Sequence, residues 1–98
     1  MILAIDIGNT ETMLGLFEGH EVGDSWRLST ERHRTGDELF LQLRALLASR
    51  AEGVAPPERI VVASVVPALD RSWDDAAARL GLPLLRIDWR TELPIRLE

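Results

Sequence analysis

A carboxylate interrupts the first apolar run of the chain: Ile2-Leu3-Ala4-Ile5 leads into Asp6 and Ile7, and Gly8-Asn9-Thr10 follows. A carboxylate at the end of a buried strand can hold Mg²⁺ directly or through water. Gly8 lets backbone approach a ligand closely, and successive turn amides form a nest for phosphate oxygens. The Thr10 hydroxyl adds a donor, and Asn9 can donate or accept. As a bare hairpin turn, Gly8-Asn9 would serve because both residues tolerate positive φ. The uncharged run in front of Asp6 favours a site over a turn alone. Ser64-Val65-Val66-Pro67 is a second candidate, with Ser64 at the carboxyl end of a central strand, where α/β sheets place ligands. Its plain alternative is that Pro67 simply opens a helix. Arg32, His33 and Arg34 could meet a phosphate or a carboxylate, but read better as a solvated charge run. His20 and His33 stand too far apart for a metal site and read as surface residues. Glu11 adds negative charge beside the turn and is expected to point outward.

Composition removes many other chemistries. The 98 residues contain no cysteine, which excludes disulfides, thiolate zinc sites and thiol nucleophiles. All 11 basic residues are arginine, so a Gly-x-x-x-x-Gly-Lys-Ser/Thr phosphate loop and a lysine Schiff base are excluded as well. A net charge of −5 argues against a nucleic-acid surface. No apolar run approaches the ~18 residues of a membrane span, and the start lacks the basic region of a signal peptide. The expectation is a cytoplasmic domain with no membrane and no nucleic-acid partner.

The elements that must position these residues follow from pattern. Residues 2–7 and 12–18 are apolar on both faces and read as two antiparallel strands buried on both sides. Residues 21–29 alternate, with Val22, Trp26 and Leu28 on one face and Arg27 and Ser29 on the other. Thr35-Gly36-Asp37-Glu38 has the form of a capping box, and Leu39, Phe40, Leu43, Leu46 and Leu47 carry a helix to about Arg50. Residues 59–66 are a β-branched run expected to form a central parallel strand. Pro67 suits the first turn of a second helix, with Leu69, Trp73, Ala76, Ala77 and Leu80 inward and Gly81 as its stop. Leu84, Leu85 and Ile87 suggest a last short strand. Trp26 and Trp73 read as core, and Trp89 is unassigned. The predicted class is α/β, in the order β-β-β-α-β-α-β, with a mixed sheet of three antiparallel strands and then parallel ones. That topology resembles the ribonuclease-H-like unit, half of the actin-like ATPase and sugar-kinase architecture.

The segments Ile5-Asp6-Ile7-Gly8-Asn9-Thr10, Leu14-Gly15-Leu16-Phe17, Trp26-Arg27-Leu28-Ser29-Thr30, Thr35-Gly36-Asp37-Glu38-Leu39 and Ala63-Ser64-Val65-Val66-Pro67 together resemble the start of a type III pantothenate kinase. Arg90-Thr91-Glu92-Leu93-Pro94-Ile95-Arg96 resembles a further segment of that family, although Leu97 stands where a tyrosine often follows. The resemblance implies ATP-dependent phosphorylation of pantothenate, the first step of coenzyme A synthesis, with Mg²⁺, a monovalent cation such as K⁺, and a homodimer. It also implies that Asp6, Ile7, Gly8, Asn9, Thr10, Glu11, Thr12 and Met13 form the ATP phosphate-binding segment, with Asp6 oriented to the metal. The family's general base would then come after Glu98. Residues 1–98 are accordingly expected to be a single amino-terminal, ATP-phosphate-binding domain, inactive and monomeric on its own. Leu97-Glu98 reads either as native sequence or as the scar before a cloning tag. The rival readings are a nucleotide-binding transcriptional regulator of the same fold, or another actin-like or sugar-kinase superfamily member.

Overall fold

The computed structural model describes residues 1–87; Trp89 and the Arg90–Arg96 segment lie outside that range. The elements run β1 (Ile2–Ile7), β2 (Glu11–Glu18), β3 (Glu21–Ser29), α1 (Gly36–Ala48), β4 (Arg59–Ser64), a 3₁₀ turn (Pro67–Leu69), α2 (Asp70–Leu80) and β5 (Leu84–Arg86). They build one five-stranded sheet in the order β3-β2-β1-β4-β5. The central strand β1 pairs antiparallel with β2, Asp6 opposite Met13, and parallel with β4, Asp6 beside Ala63 and Ile7 beside Ser64. This is the expected mixed α/β order, with the chain leaving β1 to one side for the meander and returning on the other for the parallel strands.

Both helices cover one face. Leu3, Ile5 and Ile7 of β1 alternate toward it and are buried with Leu14, Leu16, Ile60 and Val62 against Leu39, Leu43 and Leu47 of α1 and Trp73, Ala76 and Ala77 of α2. Burying one such leucine contributes about 2 kcal/mol of transfer free energy. Phe40, Leu46 and Leu80 sit at the rim of this core, half-buried. The opposite face carries a smaller cluster of Ala4, Phe17 and Met13.

The helix signals act as the sequence implies. Thr35 Oγ1 accepts from the Glu38 amide at 3.2 Å, and the Thr35 amide donates to Glu38 Oε1 at 2.9 Å, closing both halves of the capping box. Gly81 ends α2 at φ 73°, a left-handed conformation that glycine adopts without a Cβ penalty. Gly36 marks the close approach of the helices: a Cβ there would lie 2.6 Å from Asp75 Cβ and 3.2 Å from the Ser72 carbonyl. Beside it, the Arg79 guanidinium pairs with Asp37 and stacks over the Phe40 ring at 4.1 Å. Arg86 ties β5 to α2 through Asp74 at 2.8 Å.

Several expectations are corrected. The fourth strand stops at Ser64 rather than Val66, because the Val66 amide turns back onto Ser64 Oγ at 2.9 Å. Pro67 opens a 3₁₀ turn, and the α-helix proper begins at Asp70. The first helix ends at Ala48, with Ser49 as its cap. Val22 does not share a face with Trp26 and Leu28 but is 52% exposed. The cause is an irregularity in the β2–β3 ladder: Gly15 pairs with Ser25 but Phe17 with Val22, so β3 advances three residues against two. One extra residue reverses which face every following side chain takes. Trp26 is half-buried at the rim of the core rather than inside it.

Candidate functional site

The carboxyl ends of β1 and β4 meet the Gly8–Thr10 turn at one edge of the sheet. Ile5 and Ile7 face the helices, so the intervening Asp6 faces the other side, flanked through the register by Met13 and Ala63. It is half-buried, and burial pushes its carboxyl above the ordinary carboxylate value. A cation beside Asp6 would remove that penalty. No group of three or more acidic or histidine side chains suited to a metal occurs among the described residues. Asp6 alone could hold a divalent cation only if waters or ligand oxygens completed the shell.

The turn is not built as its composition suggests. Among the described residues, positive φ occurs at Gly19, Gly53 and Gly81, and at no non-glycine residue. Gly8 and Asn9 thus bend without left-handed backbone. The Gly8 amide donates to the Glu11 carbonyl at 2.9 Å, and the Thr10 carbonyl accepts from the Thr30 amide at 2.8 Å. The amides of Asn9 and Thr10 have no backbone acceptor among the described residues. Two such donors, with the exposed Thr10 hydroxyl, form a set of N–H and O–H groups of the kind that can receive phosphate oxygens.

The remaining candidate residues separate. Ile7 is core. Glu11 is exposed, as expected, and pairs with Arg27 at 3.4 Å. Thr12 is 3% exposed and lies opposite Ile7, so its side chain sits on the helix side, where its hydroxyl hydrogen-bonds Thr30 Oγ1 at 2.8 Å. Met13 is half-buried on the Asp6 face. Ser64 reaches the same sheet edge one strand away, with its oxygen engaged by the Val66 amide. His20 and His33 are exposed.

The arginines of residues 32–34 are not simply solvated. Arg34 is half-buried and donates to Gln42 Oε1 at 2.9 Å. Arg32 Nη2 donates to Asn9 Oδ1 at 3.0 Å, bringing the β3–α1 loop onto the turn. Sequence spacing holds no signal for that contact, since 23 residues separate the partners.

A family model described as Type III pantothenate kinase matches residues 2–98. The chain is 39% identical over 102 residues to the type III pantothenate kinase of Thermomicrobium roseum, covering all of this chain and 39% of that protein. It is 46% identical over 101 residues to that of Acidothermus cellulolyticus, covering 97% of this chain and 38% of that protein. The chain thus spans about two fifths of the length of these curated relatives. Among solved structures, the ROK hexokinase of Thermus thermophilus superposes with a TM-score of 0.65 over 89% of this chain and 34% of that one, at 16% identity, which bears on the fold alone. The family model matches nearly the whole sequence, and relatives at 39% and 46% identity cover all or nearly all of it: the chain belongs to the type III pantothenate kinase family.

Proposed function

We propose that this chain supplies the ATP-phosphate-binding part of an enzyme that transfers the γ-phosphoryl group of ATP to pantothenate. The observation that carries the reading is Asp6, a half-buried carboxylate near two turn amides that have no backbone acceptor among the described residues, in a chain matched to the family over residues 2–98. Phosphoryl transfer asks for positioning and charge neutralisation more than covalent chemistry. Bound Mg²⁺ supplies charge neutralisation at the phosphates. The Asn9 and Thr10 amides and the Thr10 hydroxyl orient those phosphates, and the capped helix and paired strands hold the turn rigid.

In the reaction, the pantothenate hydroxyl oxygen bonds to the γ-phosphorus, the bond to the β–γ bridging oxygen breaks, and ADP leaves. The hydroxyl proton goes to a base. Asp6 is a poor base, because a neighbouring cation favours its ionised form. We assign the base, the pantothenate contacts, the K⁺ site and the dimer contact to the part of the protein beyond these residues, on the family resemblance. The 98-residue chain alone is then an inactive monomer.

The test is Asp6→Asn in the full-length protein, followed by pantothenate-dependent ADP release. Turnover should fall about 100-fold or more, with the melting temperature unchanged or slightly higher, since the amide carries no charge to desolvate. Retained turnover, or pantothenate phosphorylation by the 98-residue chain alone, would refute the proposal.

A further inference from the structure

The proposed nucleotide edge carries the Asp6 carboxylate, has Glu11 beside its turn, and must receive a polyphosphate whose charge Mg²⁺ offsets only in part. The chain has no lysine to help, since its 11 bases are all arginine. Three arginines lie close to the turn. Arg27 is paired with Glu11 at 3.4 Å, and Arg34 is committed to Gln42 at 2.9 Å and to the Ser29 carbonyl at 3.5 Å. Arg32 differs. Its hydrogen bond is to the neutral Asn9 side chain, and no carboxylate pairs with it among the described residues. No salt bridge holds it among the described residues, and a guanidinium with five N–H groups keeps donors to spare.

The loop that carries Arg32 is fixed at both ends. On one side the Thr30 amide donates to the Thr10 carbonyl at 2.8 Å, and the Thr30 hydroxyl meets the buried Thr12 hydroxyl at 2.8 Å. On the other, Thr35 caps α1 through both halves of its capping box. Four residues between two anchored points leave Arg32 little freedom to drift, so much of the entropy of ordering it is spent on folding rather than on binding.

We propose that Arg32 is a phosphate-contacting residue of the nucleotide site, held over the turn by Asn9 so that its remaining N–H groups meet the terminal phosphate oxygens of a nucleoside triphosphate. The choice of ligand rests on the kinase reading above; the contact itself is to polyphosphate. Asn9 accepts one guanidinium N–H and aims the fork, the Asn9 and Thr10 amides take neighbouring oxygens, and Asp6 holds the metal on the other side.

The experiment measures inorganic tripolyphosphate affinity in the presence of Mg²⁺, and the KM values for ATP and pantothenate, on the full-length protein. Arg32→Gln should weaken tripolyphosphate and raise the ATP KM about fivefold, the scale of an exposed charge contact, and leave the pantothenate KM unchanged. Arg32→Lys, which keeps the charge, should recover part of the loss. Arg71→Gln removes the same charge from the exposed side of α2 and should change neither value. Unchanged tripolyphosphate affinity in Arg32→Gln overturns the proposal. So does equal weakening in the Lys and Gln variants accompanied by a lowered melting temperature, which would make the residue a structural tie. If the protein proves not to phosphorylate pantothenate, the tripolyphosphate measurement still decides the role of Arg32.

Discussion

Replacing Gly36 with alanine tests whether the two helices are as tightly joined as their geometry implies. The new Cβ would lie 2.6 Å from Asp75 Cβ and 3.2 Å from the Ser72 carbonyl. Carbon atoms sit comfortably at about 3.5–4.0 Å, so α1 and α2 must separate by about 1 Å. The obstructing atom is a Cβ fixed to the α2 backbone, not the end of a flexible side chain, and cannot swing aside. Overpacking of this kind costs about 1–3 kcal/mol. Against it stands the lower backbone entropy of alanine in the unfolded chain, worth about 0.5–1 kcal/mol. The net expectation is a loss of about 1 kcal/mol, read as a drop of about 1 M or slightly less in the urea midpoint at unchanged slope. Asp75→Ala should not rescue the variant, because it keeps the offending carbon. An unchanged or raised midpoint would refute the reasoning, and so would rescue by Asp75→Ala. The shift also bears on the site, since α1 begins one residue after the loop that carries Arg32.

Thr12→Val keeps the shape of the side chain but strips Thr30 of its partner; it should cost about 1–2 kcal/mol in thermal or urea unfolding, while Thr12→Val/Thr30→Val recovers part of that loss. Thr35→Ala removes the helix cap and should cost about 1 kcal/mol by the same measurement at neutral pH. In the wild type, hydrogen bonds from the Thr35 amide, then its hydroxyl, hold the Glu38 carboxyl below its ordinary value of 4.5. That stabilisation is present above the ordinary value and is lost as pH falls through the lowered one. The wild type should therefore shed stability on acidification below about pH 4.5 more steeply than Thr35→Ala does, and parallel acid titrations would contradict this account.

Local signals were legible wherever one residue type has one physical use. The Thr35–Glu38 box and the Gly81 stop read directly, because each satisfies helix-end groups in a way few other residues can. Leu39, Leu43 and Leu47 read from period alone. The extra residue in β3 did not, since a bulge leaves no mark in an alternating pattern, and Val22 consequently changed faces. The Gly8-Asn9 turn was legible as a turn but not as a conformation, because a glycine permits positive φ without requiring it. Asp6 stood out by its charge in an apolar strand. Arg32 did not, because its contact with Asn9 exists only once the meander brings the end of β3 beside the turn. Thr12 fell within the phosphate segment by family likeness, yet strand alternation sends its hydroxyl inward to Thr30.

The central strand closes two loops of very different length. Ile2 faces Phe17 across a hairpin and Arg59 across the whole helical excursion. The second loop is almost four times longer, which adds about 1 kcal/mol to the entropy of bringing its ends together. A chain in which only the hairpin has closed already owns the Gly8–Thr10 turn. It lacks Ala63 beside Asp6 and Ser64 beside Ile7, so the carboxylate stays hydrated and the edge is open on one side. The proposed phosphate edge is therefore completed only by the β1–β4 pairing, the longest-range strand pairing among the described residues.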